Sequence, residues 1–315
     1  MTRPGRLRRS ELSTPGSSDK MMEKAAASAA DLVFLDLEDA VAPSAKVASR
    51  SAIVVALNRL DWGSKTRAVR INGPDTMWCH DDLIEVVTGA GAAIDVVIVP
   101  KVKSRRDVWF VDTLLSQLEV KLGLVPGRIG LEVLIEETEA LARVDDIAAC
   151  SPRLEALILG VGDLSASQGI RSAHVGATST GYPGDMWHYA RTRMIVAARA
   201  NGLDAIDGPN ADYRDLDGYR TEATWAATLG AVGKWAIHPS QIAVANEVFS
   251  PTAAEVDEAR RVVAAVRDAE AAGSGAASVD GRMIDAATAR IFQAVLDRAA
   301  SMNASNSDRK SSPAG

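Results

Sequence analysis

Short runs of aliphatic and β-branched residues alternate with amphipathic stretches along most of this 315-residue chain. The runs fall at 32–36, 67–71, 96–100, 129–136, 154–160, 203–207 and 234–238, and a weaker one at 7–12 precedes them. Between them, apolar residues recur at helical spacing over 20–28, 46–60, 81–89, 105–122, 138–149, 186–201 and 215–229. Unbroken apolar runs are the pattern of strands whose two faces are both covered by helices, as in a parallel sheet. Eight such strands alternating with helices over about 240 residues predict an α/β fold, a (β/α)8 TIM barrel. A doubly wound sheet is the alternative, but no G-x-G-x-x-G follows any of the runs.

The pattern changes after His238. A helical stretch at 253–272, a Gly-Ser-Gly break, the string VDGRMID and a last helix at 286–300 follow. This predicts a barrel over 1–248, a helical module over 249–300, and a polar, disordered tail over 301–315. The module has only about 50 residues, too few for an independent core. It must therefore pack on the barrel or on a neighbouring subunit.

With 47% hydrophobic residues the chain supports a large core, and its net charge of −6 with no long basic run argues against nucleic acid. No apolar run approaches the roughly 18 residues of a membrane helix. Arg3, Arg6, Arg8 and Arg9 are followed by Ser10 and Glu11, so the basic start reads as a solvated arm and not as a leader peptide. Two cysteines, Cys79 and Cys150, form neither a disulfide framework nor a zinc ribbon; a reducing cytoplasm is the expected compartment.

The active site of such a barrel lies at the C-terminal strand ends. Here these ends carry Ser13-Thr14-Pro15-Gly16, Asp36-Leu37-Glu38-Asp39, Arg70-Ile71-Asn72, Pro100-Lys101, Glu136-Glu137, Gly162-Asp163, Asp207-Gly208-Pro209 and His238-Pro239. A lone strand-end carboxylate commonly caps the next helix. Several converging with one arginine point instead to a divalent cation, and oxygen ligands suit magnesium. Glu136 and Asp163 end adjacent strands, so one ion can bridge them. Alternation along the fifth strand puts Glu132, Leu134 and Glu136 on one face, which favours Glu136 over Glu137 as the ligand. Arg70 offers a planar fork to a substrate carboxylate or enolate oxygen, and a salt bridge to Asp36 or Glu38 is compatible with that use. No H-E-x-x-H, G-x-S-x-G or Walker loop occurs.

The strings RSELSTPGS, FLDLEDAVAP, VRINGPDT, IVPK, EVLIE, LGVGDLSAS, IDGP, GKWAIHPSQIAVANEVFSP and DGRMID together resemble the citrate lyase β-subunit/malyl-CoA lyase family, over about residues 7–300. The likeness is greatest to L-malyl-CoA/β-methylmalyl-CoA lyases. It implies a magnesium-dependent barrel (manganese being possible) with a C-terminal helical lid, assembled as a homotrimer or homohexamer. It further implies cleavage of a 3-hydroxyacyl-CoA to glyoxylate plus acetyl-CoA or propionyl-CoA. By position, Glu136 and Asp163 match the metal ligands, and Arg70 the residue that steadies the enolate oxygen. The amides around Gly162 and Asp163 match the glyoxylate-carboxylate contact. Asp285 matches an acid/base residue inserted from a neighbouring subunit, Lys24 a coenzyme A contact, and Ile237 with His238 a pocket wall. Ser13 and Ser18 stand where such lyases carry an aromatic residue and an arginine against coenzyme A. The resemblance leaves three other activities open: a malyl-CoA thioesterase, a citramalyl-CoA lyase, and a citrate lyase β-type subunit that works only with partners.

Overall fold

The computed structural model describes residues 4–171, 174–176 and 184–311, the side chains of 303–311 excepted. Eight parallel strands pair in chain order and close on themselves, first to last. They are β1 (Ser10–Pro15), β2 (Leu32–Asp36), β3 (Thr66–Arg70), β4 (Val96–Val99), β5 (Gly130–Ile135), β6 (Leu154–Leu159), β7 (Asp204–Asp207) and β8 (Gly233–Ala236). The helices between them are α1 (Asp19–Ala26), α2 (Lys46–Arg59), α3 (Cys79–Ala90), α4 (Arg105–Lys121), α5 (Thr138–Ala142), α6 (Val144–Ala148), α7 (Val161–Gln168), α8 (His188–Ala200) and α9 (Leu216–Leu229). Helix α10 (Pro239–Val248) follows β8. This is the expected (β/α)8 barrel.

Alternation along each strand builds two apolar layers. Leu32, Phe34, Ala68, Ile98, Leu134 and Ile158 fill the barrel interior. Their neighbours Val33, Leu35, Val69, Val97 and Val133 lie in the outer core beneath the helices. Both faces are dry, which is why the strands read as unbroken apolar runs.

The structure departs from the sequence reading at several elements. The first strand lies at Ser10–Pro15, not 7–12: Leu12 points outward into the core while the fully buried Glu11 faces the other way, so the apolar signal is missing where the strand is. Helix α7 was not expected, because VGDLSASQ has no apolar stripe. Nor was α10, because Pro239 reads as a breaker although it sits in the first turn, where its missing N–H costs nothing. The single helix expected over 138–149 is two, broken at Arg143.

From Ser250 onward the chain forms a second compact unit. It holds α11 (Ala253–Ala271), an antiparallel hairpin of β9 (Ala276–Val279) and β10 (Arg282–Asp285), and α12 (Ala286–Ser311). The hairpin corrects an all-helical expectation. Asp280 and Gly281 form its turn, with φ of 51° and 76°, the left-handed pair that such two-residue turns need. Val262, Val266 and Ile284 make a small core with Phe292. Helix α12 runs to Ser311, into the span read as a tail, and 312–315 lie outside the described residues. No helix among the described residues is long and apolar enough to cross a membrane.

The barrel floor is charged and sealed. Arg8, buried, donates to Glu132 at 2.7 Å and to Asp204 at 3.0 Å and also pairs with Glu155. Neither oxygen of the buried Glu11, nor Oε2 of Glu132, meets a donor among the described residues. A proton shared by the two carboxyls pairs one Glu11 oxygen with Glu132, and burial together with the charge of Glu132 holds Glu11 well above the ordinary carboxyl range. The folded chain therefore keeps a proton that the unfolded chain releases above about pH 4.3, and stability is lost as pH rises through the raised value. Glu11→Gln, which needs no such proton, should melt a few degrees above the parent at pH 9 and close to it at pH 5.5, since about 1 kcal/mol moves Tm by roughly 2–4 °C in a domain of this size. Equal melting curves at both pH values would remove the shared proton.

Candidate active site

The barrel mouth is organised on Arg70, the last residue of β3, which pairs in register with Asp36, the last of β2. Its guanidinium holds Asp36 by two parallel bonds, 2.7 Å from Nε and 2.6 Å from Nη2, and reaches Glu38 from Nη1 at 2.8 Å. Beneath it lie the rings of Phe34 at 5.8 Å and Trp235 at 5.1 Å, themselves packed edge to face. Burial pushes the Asp36 carboxyl up, but Arg70 and the amides of Glu38 and Ala40 outweigh it and hold Asp36 below its ordinary value. The loop bearing Glu38 is tied down by Lys46, whose Nζ donates to the carbonyls of Leu37 and Glu38 at 2.8 Å and to Asn72 at 2.6 Å.

Glu136 follows β5 directly and continues the interior face of Glu132 and Leu134; it is buried, whereas Glu137 is half-buried at the start of α5. Asp163 sits in the first turn of α7, after β6. Between these carboxylates reaches Lys101, just past β4. Its backbone N–H donates to Glu136 Oε1 at 2.6 Å, and its Nζ pairs with Asp163 and lies 3.3 Å from both Glu38 and Asp39. Lys101 adopts φ 53°, a left-handed conformation that costs a non-glycine residue about 1–2 kcal/mol. Burial, then the charges of Asp163 and Glu38, push the Glu136 carboxyl up to about 8 against the opposing pull of Lys101. Gly160 makes this packing possible: a Cβ there would stand 2.4 Å from Glu136 Cβ and 2.6 Å from its Oε2.

Five carboxylates (Asp36, Glu38, Asp39, Glu136 and Asp163) thus share two cations, Arg70 and Lys101. Such an acidic, oxygen-rich set fits a hard divalent cation, and the Lys101 ammonium already stands on carboxylates that would take one. No group of three or more Asp, Glu, His or Cys among the described residues forms a protein cage. Magnesium usually takes one or two protein carboxylates and fills its shell from substrate and water.

The other expected site residues are spread around the barrel. Gly162 lies beside Asp163 in α7, where a Cβ would come within 3.1 Å of Val175. Ser13 is half-buried in β1, and Ser18 caps α1 by accepting from the Met21 amide. Lys24 is exposed in the last turn of α1. Ile237 is 38% exposed, and His238 caps α10, accepting from the Ser240 amide and stacking on Tyr213 at 4.6 Å. Asp285 belongs to the second unit, where it accepts from the Thr288 amide at 2.9 Å and hydroxyl at 3.0 Å. Most of the 172–186 loop lies outside the described residues. Neither cysteine suits nucleophilic chemistry, since burial pushes Cys79 up to about 12 and Cys150 up to about 11. The sequence reading names Asp36 and Glu38 as salt-bridge partners of Arg70, which they are; it assigns no role to Lys101, marked there only by its strand-end position, or to Gly160.

Residues 9–239 match the family model described as HpcH/HpaI aldolase/citrate lyase. An L-malyl-CoA/beta-methylmalyl-CoA lyase of Rhodobacter capsulatus is 43% identical over 305 residues, covering 94% of this chain and 96% of the relative. A (3S)-malyl-CoA thioesterase of Cereibacter sphaeroides is 37% identical, covering 88% and 89%. The structure of CitE from Mycobacterium tuberculosis in complex with magnesium, acetoacetate and coenzyme A is similar with a TM-score of 0.73 at 30% identity, covering 94% of this chain and 99% of that one.

Gly160→Ala tests whether the carboxylate pair depends on this packing. The 2.4 Å contact with Glu136 Cβ forces the backbone to shift, so circular dichroism should first show the variant folded; once folded it should bind Mn2+ at least about tenfold more weakly, roughly 1.4 kcal/mol. Calorimetric titration reads this directly, and unchanged affinity would free Glu136 of the constraint.

Proposed function

The chain belongs to the HpcH/HpaI aldolase/citrate lyase family, and from that membership we propose that it is a magnesium-dependent carbon–carbon lyase. Its substrate is a 3-hydroxyacyl-CoA, L-malyl-CoA or β-methylmalyl-CoA, cleaved reversibly to glyoxylate plus acetyl-CoA or propionyl-CoA. The observation that carries the reading is one barrel mouth where Glu136 and Asp163 meet an oriented Arg70, in a chain 43% identical to a named lyase over nearly its whole length. A cytoplasmic location fits coenzyme A thioesters as substrates.

Glu136 and Asp163 would hold the Mg2+ (or Mn2+), and the bound ion would supply Lewis-acid polarisation of the 2-oxo acid oxygens. The first-turn amides at Gly162 and Asp163 have no acceptor within α7 and suit the glyoxylate carboxylate. Cleavage passes the proton of the 3-hydroxyl to a carboxylate, Asp285, and breaks the bond between the carbinol carbon and the α-carbon. Glyoxylate leaves, and the electron pair remains as the acyl-CoA enolate. Arg70 has five N–H donors; two are used on Asp36 and Nη1 stands 2.8 Å from Glu38, which leaves at least one on each Nη for the enolate oxygen. Because Asp36 fixes the fork beforehand, no reorganisation accompanies the charge as it develops. Lys24 contacts coenzyme A near the turn of Ser13 and Ser18, and Ile237 with His238 walls the acyl pocket.

Asp285 returns the proton to the enolate carbon, or takes it in the condensing direction. In its own unit Thr288 holds it below its ordinary value by backbone and side-chain hydrogen bonds, and it must surrender those bonds to act. It acts on the site of a neighbouring subunit, so the active species is a homotrimer or homohexamer.

Incubation of the purified protein with L-malyl-CoA and Mg2+ should release glyoxylate and acetyl-CoA in equal amounts. Malate and free coenzyme A instead would make it a thioesterase, the activity named for a 37% identical relative. Arg70→Lys keeps the charge and loses the fork, so the lyase rate should fall at least about tenfold, roughly 1.4 kcal/mol in the barrier; an unchanged rate would confine Arg70 to its ion pairs. Asp285→Ala and Arg70→Ala chains, each inactive alone, should regain partial activity when refolded together, through sites that carry neither change. Persistent inactivity in verified mixed oligomers would place Asp285 in cis.

A further inference from the structure

We propose that Lys101 is a resident cation of the metal site: its ammonium holds Asp163 beside Glu38 before a divalent ion arrives, and yields Asp163 to that ion when it binds. This rests on the reading that Glu136 and Asp163 are the metal ligands, and goes beyond it by giving a role to a residue that the lyase reading leaves unused.

Two features of the chain place this lysine. Lys101 and Asp280 are the non-glycine residues with positive φ among those described. Asp280 is in a hairpin turn that requires the conformation, whereas Lys101 follows β4 and is in no hairpin. What its unusual backbone achieves is a double reach, with the amide aimed at Glu136 and the side chain crossing to Asp163, Glu38 and Asp39. Gly73 keeps the path of the stem clear: a Cβ there would stand 3.2 Å from both Cβ and Cγ of Lys101.

The two cations of the mouth differ in how readily they move. Arg70 is buried and gripped by two parallel bonds to Asp36. Lys101 is a point charge on a flexible stem, and its partner Asp163 has a side chain 38% exposed. An ammonium and a divalent ion on one carboxylate repel each other, so entry of the ion displaces the lysine. The ion therefore binds against a competitor built into the chain, and its apparent affinity is lowered by the fraction of time that the lysine occupies the carboxylate.

The test uses Mn2+ alone, without substrate, on the full chain and on Lys101→Met, Lys101→Gln and Asp163→Ala. These substitutions keep the residue 101 amide that serves Glu136. Removal of the competitor should tighten Mn2+ binding by calorimetry at least about threefold, the change expected if the lysine holds the site two-thirds of the time. The same variants should melt below the parent in EDTA and recover most of that loss in saturating Mg2+. If Lys101→Met does not fold without metal, Lys101→Gln, which keeps hydrogen-bond donors, carries the comparison. Equal or weaker Mn2+ binding in the lysine variants, or an equal melting loss with and without metal, overturns the proposal. The underlying reading fails separately: it falls if Asp163→Ala binds Mn2+ as the parent does.

Discussion

Arg70 and Asp36 set the barrel mouth: Arg70 also holds Glu38, and Glu38 links the pair to Lys101, which carries Asp163 and turns its amide to Glu136. A buried ion pair contributes little net stability, since desolvation of both partners offsets most of their attraction. Its value lies in orientation. The two parallel bonds fix the guanidinium plane, and the rings of Phe34 and Trp235 support it from the barrel interior. The apolar interior thus ends in a rigid cation, and Glu38, Asp163 and Glu136 are placed relative to it. Loss of one partner would leave the other charged and buried, a cost of about 3–5 kcal/mol, so the arrangement resists drift.

The barrel was legible because parallel strands covered on both faces leave continuous apolar runs, and β2 coincides with its run at 32–36. Legibility failed where the barrel carries charge. Strand β1 was misplaced because its inward residue is Glu11 and not an aliphatic one. Helix α7 lacks an apolar stripe because Gly162, Asp163 and Ser165 interrupt it. In both places a small or charged residue stands where local rules expect an aliphatic one.

The site followed a similar division. Alternation alone orders Glu136 ahead of Glu137, and the buried and half-buried positions of the two agree with it. Strand-end position drew attention to Arg70 and Asp163. Neither consideration reveals that Lys101 turns left-handed to present its amide to Glu136, or that Gly160 leaves room for that carboxylate. Those are facts of backbone conformation and of contacts between residues far apart in sequence, and composition does not encode them.

Acids outnumber basic groups at both ends of the barrel interior, and the two ends resolve the surplus differently. At the floor, Glu11 and Glu132 are sealed from solvent, and Arg8 is already engaged by three acids. The remedy is a retained proton, favoured because burial and the charge of Glu132 hold Glu11 well above the ordinary range. At the mouth the surplus is open to solvent through Asp163 and is met by cations. Without an ion, burial and the neighbouring carboxylates favour a proton on Glu136 up to about 8, and the Lys101 amide and ammonium oppose it by favouring the carboxylate that a metal would need. An enclosed acid surplus therefore belongs to the architecture of the barrel, whereas an exposed one served by an exchangeable cation belongs to its chemistry.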